Sequence, residues 1–352
     1  SSPMHCEAIT EFGAHLSRID APTPVPTGTQ VLLKVEHCGV CHSDVHLHDG
    51  YFDMGGGNKL DVRRGRPLPF TLGHEIQGVV EALGPDAKGV AKGERRVAFP
   101  WIGCGACPTC ERGEENLCNT PRALGITVAG GFASHVMVPH PRYLIDFGNV
   151  PAPLAGTYMC SGLTAFSAMK KLGSVGKNDP VVIVGLGGVG MMGLQFAKAL
   201  FGTAPIAVDI DPGKLDAAAR AGAGLVLRAN DPDALKQLMA ATGGGTFAAI
   251  DFVGSEASLQ FATSAVRKGG KVVIAGLFGG GFAMPIPMFP MRAISIAGTY
   301  VGTLGEANDM MALVKAGKVQ PIPVATRPLS AASDTLNDLR SGKILGRVVL
   351  QP

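Results

Sequence analysis

The sequence carries little excess charge of either sign, which limits the classes of partner that it can bind by electrostatic attraction. Its 31 Lys and Arg residues face 28 Asp and Glu residues, and the formal net charge is +3. Such a balance gives no electrostatic reason to bind nucleic acid or an anionic membrane, and neither partner is expected. Only 17% of the 352 residues are charged and 46% are hydrophobic, which predicts globular domains, two at this length.

The sequence also lacks a segment of the kind that enters or crosses a membrane. Its longest apolar run, residues 181–200, contains a cluster of glycines that divides it into a strand and a helix. Residues 1–6 lack the apolar core of a signal peptide. Neither a membrane span nor a secretory leader is expected, and the sequence shows no internal repeat or low-complexity stretch.

Four of the eight cysteines have the spacing of a metal site. Cys104, Cys107, Cys110 and Cys118 lie within fifteen residues, and four thiolates can close one tetrahedral Zn²⁺ site. Because such a site has no open position for a substrate, it should be structural. A redox-active or disulfide cluster is the alternative. Zinc binding requires reduced thiols, which indicates a cytoplasmic protein.

Short apolar runs alternate with helix-like segments from residue 181 onward. Helix-like segments at 214–221 and 234–241 separate some of these runs. Strands that alternate with helices are typical of a doubly wound parallel sheet, here with six strands. The predicted strands are 181–184, 206–208, 225–227, 248–251, 271–274 and 294–296.

The residues before about 160 differ, because they are rich in Gly and Pro and contain short strand candidates at 31–35 and 78–80. They predict a mainly β domain, to which the strand-like segment 347–350 is assigned. The chain is therefore predicted to be an α/β protein with two domains. The predicted bounds are 1–160 with 301–352 for the mainly β domain, which includes a metal-binding lobe at about 100–120, and 161–300 for the parallel-sheet domain.

Residues 185–190, Gly-Leu-Gly-Gly-Val-Gly, fit the dinucleotide fingerprint GxGxxG. They follow an apolar strand and open a helix, which is the context that the motif needs; the alternative is a glycine-rich turn that binds nothing. The first glycine permits a tight turn, the second lets the backbone approach a pyrophosphate, and the third allows the helix to pack closely on the strand. The helix N-terminus offers N–H groups to the phosphates. Cofactor contacts are assigned to Gly185, Gly187, Gly188, Val189 and Gly190.

Asp209 lies nineteen residues after Gly190, at the end of the next predicted strand. A carboxylate there can accept hydrogen bonds from both ribose hydroxyls of an adenosine and would repel a 2′-phosphate, which favours NAD over NADP. Asp211 also lies nearby, but with Pro212 behind it we interpret it as a helix N-cap.

Three further segments carry possible metal ligands, although their spacing alone does not join them. They are Cys41-His-Ser-Asp-Val-His46, Gly73-His-Glu75 and Cys160. In this order, together with the four-cysteine lobe and the GLGGVG turn, they resemble the zinc-dependent alcohol dehydrogenases of the medium-chain dehydrogenase/reductase superfamily, over about residues 29–349. The resemblance implies a GroES-like mainly β catalytic domain, a Rossmann domain, two zinc ions per chain (one catalytic, one structural) and NAD.

The resemblance assigns roles at the catalytic metal. It implies that Cys41, His74 and Cys160 bind the catalytic zinc and leave the fourth position to water or alcohol. Asp44 would orient His74, and Glu75 would be the carboxylate that can approach the metal.

A proton relay and further cofactor contacts are implied in the same way. Ser43 would take the alcohol proton, and His46 would form the outer end of the relay. The implied cofactor contacts are His42 and Arg347 at the pyrophosphate, Thr164 beside the nicotinamide and Lys214 at the adenosine ribose.

The expected reaction is reversible hydride transfer between an alcohol and NAD, which gives an aldehyde or ketone and NADH. Primary and secondary alcohols fit, bulky and aromatic ones included, because Ser43 crowds the metal less than the threonine of many relatives. The alternative substrate is a polyol, or an anionic compound such as a hydroxyacyl thioester whose tail binds Arg63, Arg64 and Arg66. A simpler interpretation of those arginines is a solvated loop. A non-catalytic zinc and nucleotide-binding protein should have lost one of the metal ligands or Ser43, and none is lost.

Two features of the sequence have more than one possible interpretation. Residues 51–67 are an insertion relative to compact members of the family. They form a flexible rim of the substrate cleft, a neutral surface insertion or a contact with another subunit. Trp101, the only tryptophan, is either a wall of the substrate pocket or an anchor of the zinc lobe. The spacing from Cys118 to Cys160 lacks the long loop of dimeric vertebrate relatives, so a homo-oligomer is expected, a tetramer before a dimer.

Overall fold

The computed structural model describes residues 3–344 and 346–352. The strands are β1 (Met4–Ile9), β2 (Ser17–Ala21), β3 (Val31–Gly39), β4 (Tyr51–Gly55), β5 (Asn58–Asp61), β6 (Phe70–Thr71), β7 (Glu75–Leu83), β8 (Arg95–Ala98), β9 (His135–Val138), β10 (Leu144–Ile145), β11 (Val181–Val184), β12 (Ile206–Asp209), β13 (Leu225–Arg228), β14 (Thr246–Asp251), β15 (Val266–Ile274), β16 (Ser295–Gly298), β17 (Val324–Pro328) and β18 (Arg347–Gln351).

The helices separate these strands mainly in the second half of the chain. They are α1 (His42–Asp49), α2 (Pro108–Glu111), α3 (Ala152–Ala155), α4 (Ser161–Lys170), α5 (Gly188–Phe201), α6 (Pro212–Arg220), α7 (Ala234–Thr242), α8 (Glu256–Ala265), α9 (Met288–Arg292), α10 (Leu304–Lys315) and α11 (Ala332–Arg340). Short 3₁₀ helices lie at Glu115–Leu117, Pro141–Tyr143, Gly156–Met159 and Leu329–Ala331. No helix within the described ranges is both long and apolar enough to cross a membrane.

The chain forms two compact units. The first contains the chain up to Phe52, Asp61–Leu163 and Gly302–Pro352, and the second contains Asp53–Leu60 and Thr164–Val301. The predicted domain bounds differ from these units mainly at Asp53–Leu60, which the prediction places in the first domain.

The first unit is mainly β, and its largest sheet brings distant parts of the chain together. The strand order is β10-β8-β7-β3-β18-β17, and β9 also pairs with β3. β18 runs antiparallel to β3, with Val349 opposite Gly39, so the C-terminal strand returns to the first unit as predicted. β3 and β7 are also antiparallel, and Gly39 at the end of β3 lies opposite Glu75 at the start of β7. The segment after β3 therefore leaves the sheet beside the segment that precedes β7.

The second unit contains the predicted parallel sheet, with strand order β13-β12-β11-β14-β15-β16. All four residues of β11 are buried, as expected where helices cover both faces of a parallel sheet. The strand order reverses at β11, because β12 and β13 follow on one side of it and β14, β15 and β16 on the other. The carboxyl ends of strands at such a reversal are where this fold binds nucleotides. The prediction of a doubly wound six-stranded sheet is confirmed.

The insertion at residues 51–67 contains a β-hairpin, which the sequence did not predict. β4 and β5 form a two-stranded sheet closed by Gly56 and Gly57. Within the second unit, Gly55 approaches Gly280 so closely that a Cβ on Gly55 would lie 2.8 Å from the Gly280 Cα. The role of the insertion in substrate choice stays a prediction.

Candidate active site and metal centres

The three predicted ligands of the catalytic metal converge in the first unit. Cys41 precedes α1, His74 precedes β7, and Cys160 lies between a 3₁₀ helix and α4. Their ligand atoms all lie within 4.8 Å of one another, and the Cys41 Sγ lies 3.1 Å from the His74 Nε2. The pairing of β3 with β7 accounts for the first two positions, because Cys41 lies two residues after the end of β3 and His74 lies directly before the start of β7.

The donor atoms fit a zinc ion in number and type. The hydrogen bond from the Cys160 thiol, with further help from His74 and against the effect of burial, holds the pKa of Cys41 well below its usual range. The same hydrogen bond and burial raise the pKa of Cys160 well above its usual range. The lowered pKa of Cys41 favours its thiolate, which is the form of cysteine that binds a metal. Two thiolates and one imidazole leave one tetrahedral position open, as in catalytic zinc sites.

Asp44 supports both Cys41 and His74 from a fully buried position. Its Oδ1 lies 3.3 Å from the His74 Nδ1, and its Oδ2 accepts a hydrogen bond from the Cys41 backbone N–H at 3.0 Å. Burial alone would lower the pKa of His74, but the charges of Cys41 and Asp44 raise it well above its usual value. Asp44 therefore holds the imidazole with its Nε2 towards Cys41, which is the orientation that metal binding needs.

A buried ion pair lies behind this site. Arg347 pairs with Glu75 and donates hydrogen bonds to the Val40 carbonyl oxygen at 2.9 Å and to the Ser161 hydroxyl. Ser161 in turn donates to Glu75 at 3.3 Å. Burial raises the pKa of Glu75 to about 7, although Arg347 opposes the shift. The contact of Arg347 with a pyrophosphate, and that of Glu75 with the metal, stay predictions.

The predicted proton relay lies along α1. Ser43 and His46 are three residues apart and therefore share one face of the helix, and both are half-buried. The ring of Phe52 stacks on the ring of His46, with centroids 4.4 Å apart and planes inclined by 27°. Burial, and secondarily the exposed His42, lower the pKa of His46. A neutral imidazole can accept a proton, so this environment suits the predicted relay role.

The glycine turn of the second unit has the geometry of a dinucleotide site. Gly185 has a φ of 95°, and a Cβ there would lie 2.7 Å from a methyl carbon of Val253. A Cβ on Gly190 would lie 1.9 Å from the Gly185 carbonyl oxygen. Around Gly187, in contrast, no heavy atom lies within 4 Å of a Cβ position, so the backbone is open to a pyrophosphate there. α5 begins at Gly188, with Val189 in its first turn.

Asp209 is held against this turn. Its Oδ2 accepts a hydrogen bond from the Leu186 backbone N–H at 2.8 Å, and its Oδ1 accepts one from the Asp211 backbone N–H at 2.9 Å. The carboxylate thus reaches the nucleotide turn from the end of β12 and keeps lone pairs for a ribose. Asp211 accepts from the Gly213 N–H and precedes α6, which confirms the predicted N-cap. Lys214 lies on α6, and Thr164 lies on α4.

The four-cysteine lobe fits the predicted structural zinc site. The sulfur atoms of Cys104, Cys107, Cys110 and Cys118 all lie within 4.8 Å of one another, and none of them forms a disulfide. The Cys118 sulfur accepts hydrogen bonds from the backbone N–H groups of Cys104 at 3.3 Å and Thr120 at 3.4 Å. These donors, the Cys104 N–H first, lower the pKa of Cys118 to about 6, which favours the thiolate form that binds zinc.

A buried carboxylate fastens the lobe to the sheet. Glu115 accepts a hydrogen bond from the Tyr143 hydroxyl at 2.5 Å and a longer one from the Gly103 backbone N–H at 3.3 Å. Burial, and then Glu115, raise the pKa of Tyr143 to about 12, so the phenol keeps the proton that it donates.

The arginines of the insertion are largely engaged within the chain. Arg63 pairs with Asp61 through two hydrogen bonds, at 2.9 and 3.0 Å. Arg66 donates to the Ile126 carbonyl oxygen at 2.6 Å and to the Val62 carbonyl oxygen. Two of the three guanidinium groups that the alternative hypothesis assigns to an anionic substrate tail therefore already have partners, which weighs against that hypothesis.

Three side chains at these sites were missed by sequence reasoning. Ser161 follows Cys160 directly, and its position beside a ligand was the available signal. Asp251 ends β14 as Asp209 ends β12, and it accepts hydrogen bonds from the Val253 N–H, the Gly254 N–H and the Ser258 hydroxyl. Phe52 carried no signal, because only the folded chain brings its ring onto His46.

Together, the fold and the sites define a class of protein. One chain contains a three-donor metal site with one open position, a separate four-thiolate site and a Rossmann dinucleotide turn. This combination of sites is typical of a zinc-dependent dehydrogenase.

Comparisons with known proteins identify the family. Residues 27–148 match the alcohol dehydrogenase GroES-like domain, and residues 188–316 match the zinc-binding dehydrogenase domain. An NAD-dependent alcohol dehydrogenase from Sulfurisphaera tokodaii is 38% identical over 99% of this chain and 100% of its own length. The chain therefore belongs to the zinc-binding, NAD-dependent alcohol dehydrogenase family. The predictions of this family, of its enzyme class and of zinc and NAD as its cofactors are confirmed.

Solved structures show the same relationship. The alcohol dehydrogenase of Aeropyrum pernix is 30% identical, with a TM-score of 0.87 over 99% of this chain and 100% of that one. The acetophenone reductase of Geotrichum candidum, solved in complex with NAD, is 28% identical, with a TM-score of 0.86 over 100% of this chain and 98% of that one.

Proposed function

We propose that this chain catalyses the reversible oxidation of primary and secondary alcohols to aldehydes and ketones with NAD. The convergence of Cys41, His74 and Cys160 into a three-donor site with its fourth position open is the observation that carries the proposal. The match to curated NAD-dependent alcohol dehydrogenases over the full chain supports it.

Each of the site residues has its own role in the proposed reaction. Zinc held by the three ligands would lower the pKa of a bound alcohol or polarise a bound carbonyl. Ser43 takes the hydroxyl proton and passes it towards His46, which lies one turn further along α1. Asp44 keeps His74 in the orientation that the metal needs. NAD bound at the glycine turn and Asp209 would supply the hydride acceptor.

The site favours secondary and bulky alcohols. Ser43 lacks the methyl group of the threonine that many relatives carry, which leaves more room near the metal. The structural similarity to an acetophenone reductase supports this range of substrates. Anionic substrates are less favoured, because Arg63 and Arg66 already have partners within the chain.

We also infer a homo-oligomer, a tetramer before a dimer, in a reducing compartment such as the cytoplasm. β16 lies at one edge of the six-stranded sheet and is mostly exposed. Large apolar side chains of the same unit are also exposed, with Ile286 at 81%, Met291 at 65% and Leu277 at 55%. An unpaired edge strand with apolar neighbours is a surface that a second copy can cover. None of the eight cysteines forms a disulfide, which supports a reducing compartment.

The test of the activity is NADH formation, followed by absorbance, with primary, secondary, cyclic and aromatic alcohols. We expect turnover that a zinc chelator abolishes and added zinc restores, with secondary or aromatic alcohols ahead of ethanol. Cys160→Ser, which retains the four-thiolate site, is the matched inactive control. Chelator-insensitive turnover, or silence across the panel in protein that holds two zinc ions per chain, would contradict the proposal.

A further inference from the structure

Trp101 contacts two of the three segments that carry the catalytic ligands. Its side chain is only 3% exposed. Its indole Nε1–H donates a hydrogen bond of 2.7 Å to the carbonyl oxygen of Met159, the residue before Cys160. Its ring lies against the ring of His74, with centroids 5.3 Å apart and planes inclined by 58°. A single side chain thus contacts one ligand directly and the backbone next to another.

The backbone at Cys160 needs such support. Cys160 separates the 3₁₀ helix Gly156–Met159 from α4, and its φ of −126° and ψ of −72° are not helical. Carbonyl groups at the end of a helix lack partners within that helix and depend on other groups to hold them. The Trp101 N–H is such a partner for Met159, and it holds the turn from which the Cys160 thiol extends.

The contacts of Trp101 add a role to the two that the sequence suggested, a pocket wall and an anchor of the zinc lobe. With only 3% of its side chain exposed, Trp101 makes most of its contacts with protein groups. The lobe is anchored by another pair, Glu115 and Tyr143. The contacts of Trp101 point instead to His74 and Cys160.

We infer that Trp101 is a positioning residue of the catalytic metal centre, where its N–H fixes the backbone at Cys160 and its ring fixes the plane of His74. The inference rests on the proposed function only in taking Cys41, His74 and Cys160 as metal ligands. It concerns the affinity and geometry of metal binding, so it can be tested without measuring turnover.

The single tryptophan of this chain provides a direct reporter. The protein is first dialysed against a chelator until one zinc per chain remains. It is then titrated with Zn²⁺ while the tryptophan emission is recorded. We expect a change in emission that saturates at one further equivalent, because the bound metal places a divalent cation on the imidazole whose ring lies against the indole. Cys160→Ser should remove this change and still retain the structural zinc.

Two substitutions separate the contacts of Trp101. Trp101→Phe keeps an aromatic ring near His74 but loses the hydrogen bond to Met159, and we expect the catalytic zinc to bind about three- to tenfold more weakly. Trp101→Leu loses both contacts and should weaken binding further. Competition with a chromophoric chelator measures the affinity, and the visible absorption of Co²⁺ placed at the catalytic site reports its geometry, which should change in both variants.

Phe99→Leu is the matched control, because Phe99 is a fully buried aromatic two residues away that packs on Tyr143 instead. It should lower the melting temperature without changing catalytic zinc affinity or the cobalt spectrum. If wild-type protein binds two zinc ions and Trp101→Phe has the same affinity and the same cobalt spectrum, the inference about Trp101 is wrong and the proposed function stands. If wild-type protein binds only one zinc ion, the proposed catalytic centre is wrong as well.

Discussion

Replacement of Asp209 by asparagine should weaken NAD binding and relax the discrimination against NADP. The carboxylate is fixed at the glycine turn by the Leu186 N–H at 2.8 Å and the Asp211 N–H at 2.9 Å. From there it can accept hydrogen bonds from the two ribose hydroxyls, and a hydrogen bond to a charged group contributes about 1.5–3 kcal/mol. Loss of the charge should therefore weaken NAD binding about ten- to hundredfold. NADP binding should improve, because the repulsion of the 2′-phosphate is removed.

A second substitution separates recognition of the ribose from support of the turn. The asparagine side chain can still accept the Leu186 N–H through its amide oxygen, whereas Asp209→Ala cannot. A lost hydrogen bond of this kind costs about 0.5–1.5 kcal/mol, so Asp209→Ala should lower the free energy of unfolding of the cofactor-free protein. Asp209→Asn should leave that free energy nearly unchanged.

Fluorescence titration with NADH and NADPH measures both affinities, and urea denaturation measures stability. Asp211→Asn is the charge-matched control, since Asp211 is exposed and an asparagine caps a helix equally well. It should leave both affinities near those of the wild type. An Asp209→Asn protein that keeps the wild-type preference for NADH over NADPH would refute the assignment of ribose recognition to this carboxylate.

Other predictions concern the relay and the zinc lobe. Phe52→Ala should raise the pKa of His46 towards its ordinary value, because the stacked ring contributes to the burial that lowers this pKa. NMR titration of labelled histidines, with the His46 signal assigned from the His46→Gln variant, measures the pKa. An unchanged pKa would contradict the role of the stacking. Because the folded protein favours neutral His46 more than the unfolded chain does, the free energy of unfolding should fall as the pH falls below about 6.5. His46→Gln should make the free energy of unfolding depend less on pH, as measured by urea denaturation at several pH values. A pH dependence identical to that of the wild type would contradict the contribution of His46. Tyr143→Phe should lower the free energy of unfolding by about 1–3 kcal/mol, because Glu115 loses a buried donor. A double-mutant cycle with Glu115→Gln should show coupling, and strictly additive effects would mean that the hydrogen bond does not stabilise the lobe.

The second unit was predictable because its signals are local. Apolar runs such as Val181–Val184 mark buried parallel strands, and the helices between them bring the strands side by side. The glycine turn is equally local, since a residue larger than glycine at Gly190 would collide with the Gly185 carbonyl oxygen. The hairpin at Tyr51–Asp61 was not predicted, because its strands are exposed and carry no apolar alternation.

The sequence by itself determined the sites whose parts are close along the chain. The four cysteines at 104–118 can surround one ion after a few turns of backbone, and the GxGxxG turn of residues 185–190 needs only its own strand and helix. Only the tertiary structure decided the catalytic centre. Pairing of β3 with β7 brings Cys41 beside His74, and the break before α4 brings in Cys160. Trp101 contacts the His74 ring and the Met159 carbonyl oxygen next to Cys160. Contacts between residues so far apart have no periodic or compositional signal, because they depend on which strands pair and in which register.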